Sequence, residues 1–308
     1  MVSGAIEEVP TRRNDRATLR TTLRVLPMAP ATLMIMGFFL VPILWAIYAS
    51  MTNQGLSGVN ARNPQFIGLE NYHFMLTDPR TWDALGRTAL FVFFSVAGQN
   101  ILGFVVAYGR NAASPLFQNI VGTAMVTAWV VPDVVAGFLG YTFLKGETAG
   151  LNQILGLVGL GPQHWLLTDP LTAVIAINIW RGTAFSLLVY SAALQDVPRD
   201  VLEAAEIDGA NGWQRVFGVI LPIIRPVIAI NVVLTTLNTL GVFGIIWITT
   251  AGGPGTMSET LPILMYTQAY DFGLIGYGSA VAVLLLAFGI IASLVYVYLF
   301  RVGEARDV

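Results

Sequence analysis

Six long apolar runs are separated by short polar stretches: about Leu26 to Met51, Ala84 to Tyr108, Phe117 to Leu144, Leu171 to Leu194, Val227 to Thr250 and Leu274 to Phe300. Each meets the requirement of roughly 20 apolar residues for a helix that crosses a bilayer. The pattern predicts an all-α, polytopic membrane protein with six transmembrane helices over residues 26–300, flanked by a basic tail at 1–25 and a short tail at 301–308. The first run exceeds the roughly 7–15 apolar residues of a signal-peptide core and has no convincing cleavage site, so it is expected to remain as an anchor. Pro42, Pro132 and Gly182 lie within or near spans, where neighbouring helices re-satisfy freed carbonyls and a bend around a pathway is tolerated.

Residues 196–226 break the pattern with charge, between the fourth and fifth runs. Pro198 pre-sets φ for a helix start, and Asp196 or Asp200 is placed to accept from first-turn amides, with Glu203 at capping-box spacing after Asp200. A short helix is predicted from Arg199 to Asp208, closed by Gly209 in a left-handed conformation. Ala204 and Ala205 keep one face thin while Glu203, Glu206 and Asp208 keep the segment anionic, which suits the close approach of another protein. A solvated loop with helical content is the plainer reading of the same residues.

Composition agrees with the membrane reading: 55% of residues are hydrophobic and 11% charged, against roughly 25% charged in a soluble domain. The net charge of −2 argues against a nucleic-acid partner. Cysteine is absent and the two histidines lie far apart, so neither a disulfide framework nor a metal-binding spacing is offered. Lys145 is the sole lysine and precedes Gly146, which excludes a phosphate-cradling Walker A loop in this chain. Arginine placement, with Arg12 to Arg24, Arg110, Arg199, Arg215, Arg225, Arg301 and Arg306 against Arg62, Arg80, Arg87 and Lys145, predicts both termini and the 196–226 loop on the cytoplasmic side.

The string Glu203-Ala204-Ala205, Gly209 and Ile220-Leu221-Pro222 resembles the Glu-Ala-Ala loop of permease subunits of ATP-binding-cassette importers, and Asp208-Gly209-Ala210 and Phe217 are similar to its carbohydrate-uptake branch. Further similarities lie in Phe66-Ile67-Gly68-Leu69-Glu70-Asn71-Tyr72, Gly150-Leu151-Asn152, Trp165-Leu166, Ala251-Gly252-Gly253-Pro254 and Thr260-Leu261, so the resemblance spans residues 26–300. It implies a type I importer permease fold and a coupling helix, carrying Glu203, Ala204, Ala205, Asp208 and Gly209, that sits in a groove of a separate ATPase. It also implies a second homologous permease, two ATPase subunits that bind ATP and Mg, and an extracytoplasmic solute-binding protein, in a bacterial or archaeal inner membrane. This chain itself has no expected catalytic step, cofactor or metal. Trp180-Arg181-Gly182-Thr183-Ala184-Phe185 resembles a family signature in which proline is usual at the place of Ala184, which leaves open whether the fourth helix breaks there.

Ionisable groups within hydrocarbon are costly and are functional candidates. Asp133 in the third run and Arg181 in the fourth admit three readings: an ion pair with each other, a lining of the solute path, or else snorkelling or a misplaced span. The fifth run is uncharged but carries Asn231, Thr235, Thr236, Asn238, Thr239 and Thr249 with Phe243 and Trp247 nearby, a set suited to hydroxyl-rich neutral solutes. Asn231, Asn238, Trp247, Tyr141 and Trp180 are the candidates for the solute path, although such polar groups also glue membrane helices together. Gln99 and Asn100 are candidates for interhelical hydrogen bonds. The favoured solute is a neutral oligosaccharide, disaccharide or glycoside, with glycerol phosphate or a glycerophosphodiester as the alternative. An ion-coupled secondary transporter with Asp133 as its titrating carboxylate, or a membrane scaffold, leaves residues 196–226 unexplained.

Overall fold

The structure, a computed structural model, describes residues 29–111 and 113–301. The predicted basic tail, most of the C-terminal tail and residues 26–28 of the first run lie outside the described residues. Those described form helices, with one isolated antiparallel bridge between Thr52 and Phe66 and no strand. Helix α1 (Ala29–Ile35) passes through a π-helical turn, Met36–Leu40, into α2 (Val41–Ser50). A polar connection carries α3 (Glu70–Thr77) and leads into α4 (Pro79–Asn111). Then come α5 (Pro115–Val130), α6 (Asp133–Leu144), α7 (Gly150–Leu157) and α8 (Pro170–Gln195). The charged loop gives α9 (Arg199–Ile207) and the single turn α10 (Gly212–Arg215), followed by α11 (Arg225–Leu240), α12 (Gly244–Thr249), α13 (Leu261–Tyr266) and α14 (Ile275–Arg301).

Four described helices are long and apolar enough to cross a membrane: Thr32–Ser50, Pro79–Arg110, Pro170–Gln195 and Ile275–Tyr296. Two bent pairs bring the number to as many as six, with a 109° bend between α5 and α6 and a 74° bend between Gly212–Ile223 and Arg225–Leu240. The third run is therefore not the straight span that hydropathy suggests, and the second bend lies just before the fifth run, which has a break of its own. At the first bend the cause is local. Pro132 has no amide hydrogen and restricts Val131 to an extended conformation, ψ 124°, so the helix stops and restarts at Asp133. The fifth run stops at Leu240 and resumes at Gly244, because Gly244–Thr249 turns onto α6: Thr249 Oγ1 donates to the Gly137 carbonyl at 3.1 Å, and a Cβ on Gly137 would lie 3.1 Å from Ile245 Cα. The fourth run, with Ala184 in place of proline, forms one unbroken helix.

Helix α8 is the axis of the bundle, with Val174, Ala184, Leu187 and Tyr190 fully buried. It lies along α4 where small residues let the backbones meet; a Cβ on Gly103 would come within 2.5 Å of Ser186 Cβ and 3.0 Å of Leu187 N. One core joins α4, α6, α8, α12 and Ile263, and a second joins Ala107, Leu187 and Tyr190 to Val216, Ile220 and Ile224 at the end bearing α9. At the opposite end Arg80 donates to both carboxylate oxygens of buried Glu259, Nε to Oε2 at 2.8 Å and Nη2 to Oε1 at 2.6 Å. That fork ties the loop before α13 to the start of α4.

Candidate functional site: a polar cavity in the bundle and an exposed charged helix

Two helices turn matching stripes toward each other. On α8, Asn178, Arg181, Gly182 and Phe185 recur at i, i+3, i+4 and i+7; on α11 and just beyond it, Thr235, Asn238, Thr239 and Val242 repeat the spacing. With Gln99, Trp129 and Asp133 they line a cavity of about 250 Å³. The proline bend supplies its charged wall. Arg181 donates from Nε to the Val131 carbonyl at 3.1 Å, at the bend, and its Nη2 lies 2.6 Å from Asp133 Oδ1. Asp133 is also the first residue of α6, where a carboxylate complements the helix dipole. Gly244 permits this approach, since a Cβ there would sit 3.0 Å from Asp133 Cβ.

Among the described residues, Asp133 and Arg181 are the only charged ones lining the cavity, and their charges cancel. The rest of the lining is mainly amide, hydroxyl and aromatic. Gln99 reaches across Gly182, where any Cβ would collide with its side chain, and donates from Nε2 to the Asn178 carbonyl at 3.2 Å. Asn178 Nδ2 is buried with no hydrogen-bond partner among the described residues. Trp129 and Phe185, ring centroids 6.1 Å apart, form the aromatic side.

Of the five residues expected on the solute path, Asn238 lines this cavity and the others do not. Asn231 is fully buried and binds helices together, donating from Nδ2 to Asn100 Oδ1 at 2.8 Å and to Ser186 Oγ at 3.0 Å. Trp180 lines a separate, apolar cavity of about 710 Å³ with Leu139, Phe143 and Ile177. Tyr141 lies under the Lys145 ammonium, 4.5 Å from its ring centroid. Trp247 stacks on Phe243 and leans on Tyr266, with centroids 5.5 and 4.7 Å away. Trp129, Asn178 and Phe185 are not among the residues expected from the sequence, yet Asn178 and Phe185 share the helical face of Arg181, and that spacing is readable in it.

The charged loop presents a different surface. Helix α9 ends in a Schellman motif: Gly209, φ +80°, donates to the Glu206 carbonyl at 3.0 Å and Ala210 donates to the Ala205 carbonyl at 2.9 Å. None of its residues is buried. Glu203 and Ala204 are exposed, and Glu203 has no ion-pair partner among the described residues, whereas Glu206 lies 3.4 Å from Arg215. Its last residue, Ile207, is exposed, and exposed Trp213 and Phe217 follow it in the loop, stacked at 5.7 Å. The expected cap from Asp196 or Asp200 does not form. Pro198, extended at ψ 129°, is itself the N-cap and carries no acceptor, while Asp200 sits within the first turn. The capping box lies instead at Asn211 and Gln214, whose side chains exchange hydrogen bonds with each other's backbones at 2.9 and 2.8 Å.

An all-helical bundle with broken apolar spans, a charge-balanced cavity and an exposed charged helix describes a multi-span membrane protein. Residues 99–301 match the family described as binding-protein-dependent transport system inner membrane component, and the chain belongs to that family. It is 31% identical to the sulfoquinovosyl glycerol transport system permease protein SmoG of Agrobacterium fabrum, over 92% of this chain and 91% of that protein. It is 30% identical to the trehalose/maltose transport system permease protein MalF of Thermococcus litoralis, over 92% and 94% of the two chains. A chain of a bacterial alginate ABC transporter, crystallised with an alginate-bound periplasmic protein, shares the fold at a TM-score of 0.76 and 20% identity, covering 92% of this chain and 96% of that one.

Proposed function

We propose that this chain is one of two homologous permeases in an ATP-driven importer of a neutral, hydroxyl-rich solute, a sugar, disaccharide or glycoside. The observation that carries this reading is the cavity between α8 and α11, polar in most of its lining and without net charge. Amide and hydroxyl groups at i, i+3 and i+4 spacing offer paired donors and acceptors to vicinal hydroxyls, and the Trp129 ring offers a face for the apolar side of a sugar. The relative named for trehalose/maltose transport supports a neutral sugar, and the one named for sulfoquinovosyl glycerol supports a glycoside, though one that carries a sulfonate. A glycerol phosphate or glycerophosphodiester would want an unpaired cation, and Arg181 is paired.

ATP and Mg are held by separate ATPase subunits on the cytoplasmic side of the inner membrane, where both termini and α9 lie. Glu203, Ala204, Ala205, Asp208 and Gly209 form the docking element, and an extracytoplasmic binding protein delivers the solute. Closure of the ATPases pushes on α9, and the bundle rocks to open the cavity to the binding protein.

Purification of the tagged protein from its native membrane in mild detergent, with mass spectrometry of the proteins that accompany it, tests the assembly. A second permease, a Walker-motif ATPase and a solute-binding protein are the expected companions; recovery of the chain alone, transporting without ATP, counts against the reading. Glu203→Lys tests the docking element. It puts a cation where an anion meets the partner, a change expected to lower uptake by about tenfold or more at unchanged membrane abundance. Normal uptake by that variant removes α9 from the coupling role.

A further inference from the structure

The Asp133–Arg181 pair does more than neutralise two charges in a membrane. Its side chains keep 33% and 25% of their surface open, and both line the cavity beside Asn238, Thr239 and the orphaned Asn178 amide. We propose that Asp133 sets the charge selectivity of the transport path: by occupying one face of the Arg181 guanidinium it keeps the cavity neutral, admits polyhydroxylated solutes and turns away their anionic counterparts. The inference rests on the reading of this cavity as part of the solute path.

Three observations point to selectivity rather than to fold alone. Arg181 is already fixed without the carboxylate, since its Nε donates to the Val131 carbonyl at the bend. Replacing the carboxylate by an amide of the same shape therefore leaves the guanidinium held in place with its charge uncompensated. No other cation among the described residues lines the cavity, so the change in charge is from zero to one. At about 250 Å³ the cavity is small for a ligand site and suits one sugar ring, so an anionic substituent on that ring cannot avoid the guanidinium. A planar guanidinium freed of its partner offers a forked pair of donors, the geometry that carboxylates and phosphates take.

The test uses the whole importer, purified with its partners and placed in nanodiscs, with methyl α-glucoside and glucuronate as probes matched in size but not in charge. Quenching of Trp129 fluorescence reports occupancy, and its loss in Trp129→Phe assigns the signal to this cavity. The wild type is expected to respond to the glucoside and not to glucuronate. Asp133→Asn, nearly the same shape, is expected to bind glucuronate about tenfold or more tightly than the wild type does. The double variant Asp133→Asn with Arg181→Gln is expected to return to the glucoside, which a purely structural role for the pair does not predict. If Asp133→Asn fails to assemble, Arg181→Gln carries the test from the other side, with glucosamine gaining affinity over glucuronate. An unchanged order of preference in the variants overturns the selectivity role and leaves the solute path standing; a wild type that responds to neither probe overturns both.

Discussion

At the scale of single residues, the polar groups of the spans divide by depth rather than by type. Asn231 and Asn238 lie seven residues apart on one face of α11, yet Asn238 faces the cavity while Asn231 is sealed among Asn100, Ser186 and Thr235. Tyr190 donates its hydroxyl to the same Asn100 oxygen, so this amide joins α4, α8 and α11. Interhelical hydrogen bonds of this kind are worth roughly 0.6 kcal/mol on average and up to about 1.7 in membranes. Asn100→Ala and Asn231→Ala are each expected to lower unfolding stability, and the double variant by about 1 kcal/mol less than their sum, because the two share one bond. Strict additivity in a denaturant titration would show that the bond contributes nothing. The Arg80–Glu259 fork is a sharper case, since Glu259 keeps only 4% of its side-chain surface. Arg80→Ala leaves that carboxylate buried and unpaired, at a cost of about 3 kcal/mol, to be read as a lowered melting temperature of the purified protein.

At the scale of elements, the tightest packing lies where α4 meets α8. Gly103→Val places a branched side chain where even a Cβ meets Ser186, and is expected to cost about 1–3 kcal/mol and to reduce the yield of assembled importer. A variant with wild-type yield and melting temperature would mean the two helices separate freely at that point. The same elements show what the amino-acid pattern carries and what it omits. Hydropathy locates every apolar run, because it measures the free energy of transfer, and α9 and its glycine stop are legible because capping is local. Direction is not a transfer property. The break at Pro132 is at least marked by its proline, but the turn at Gly241 to Phe243 answers to α6, more than a hundred positions earlier in the chain. The pairing of Asp133 with Arg181 is open in the sequence for the same reason, since a bend decides which helix face each occupies. Spacing within α8 does announce Asn178 and Phe185 beside Arg181, whereas residue type alone gives an asparagine or a phenylalanine in a span no distinction.

At the scale of the molecule, α8 connects the polar cavity to the charged loop. Arg181 stands nine residues before Tyr190, a distance of about 14 Å along the helix at 1.5 Å per residue, and Tyr190 is packed with Leu187, Val216, Ile220 and Ile224. The segment after α9 is thus seated in the same core as the far end of the helix that carries the guanidinium. On the proposed mechanism a push on α9 would reach α8 through that core as a displacement of packed side chains, which yield little because interiors are close-packed. If this is the route of coupling, loosening the seat should spare the docking surface and weaken the motion transmitted beyond it. Ile220 is 4% exposed and is not part of the cavity lining. Ile220→Ala removes three carbons from the seat, with a local cost of roughly 2–4 kcal/mol. The expected result is an importer that still assembles with its ATPase and hydrolyses ATP, but moves several-fold less solute per ATP in proteoliposomes. A fall in hydrolysis and uptake in equal proportion would place the defect in docking. An unchanged ratio at full hydrolysis would mean that the force passes along the backbone through Arg225 into α11, and α11 would then be the helix that moves against a fixed α8.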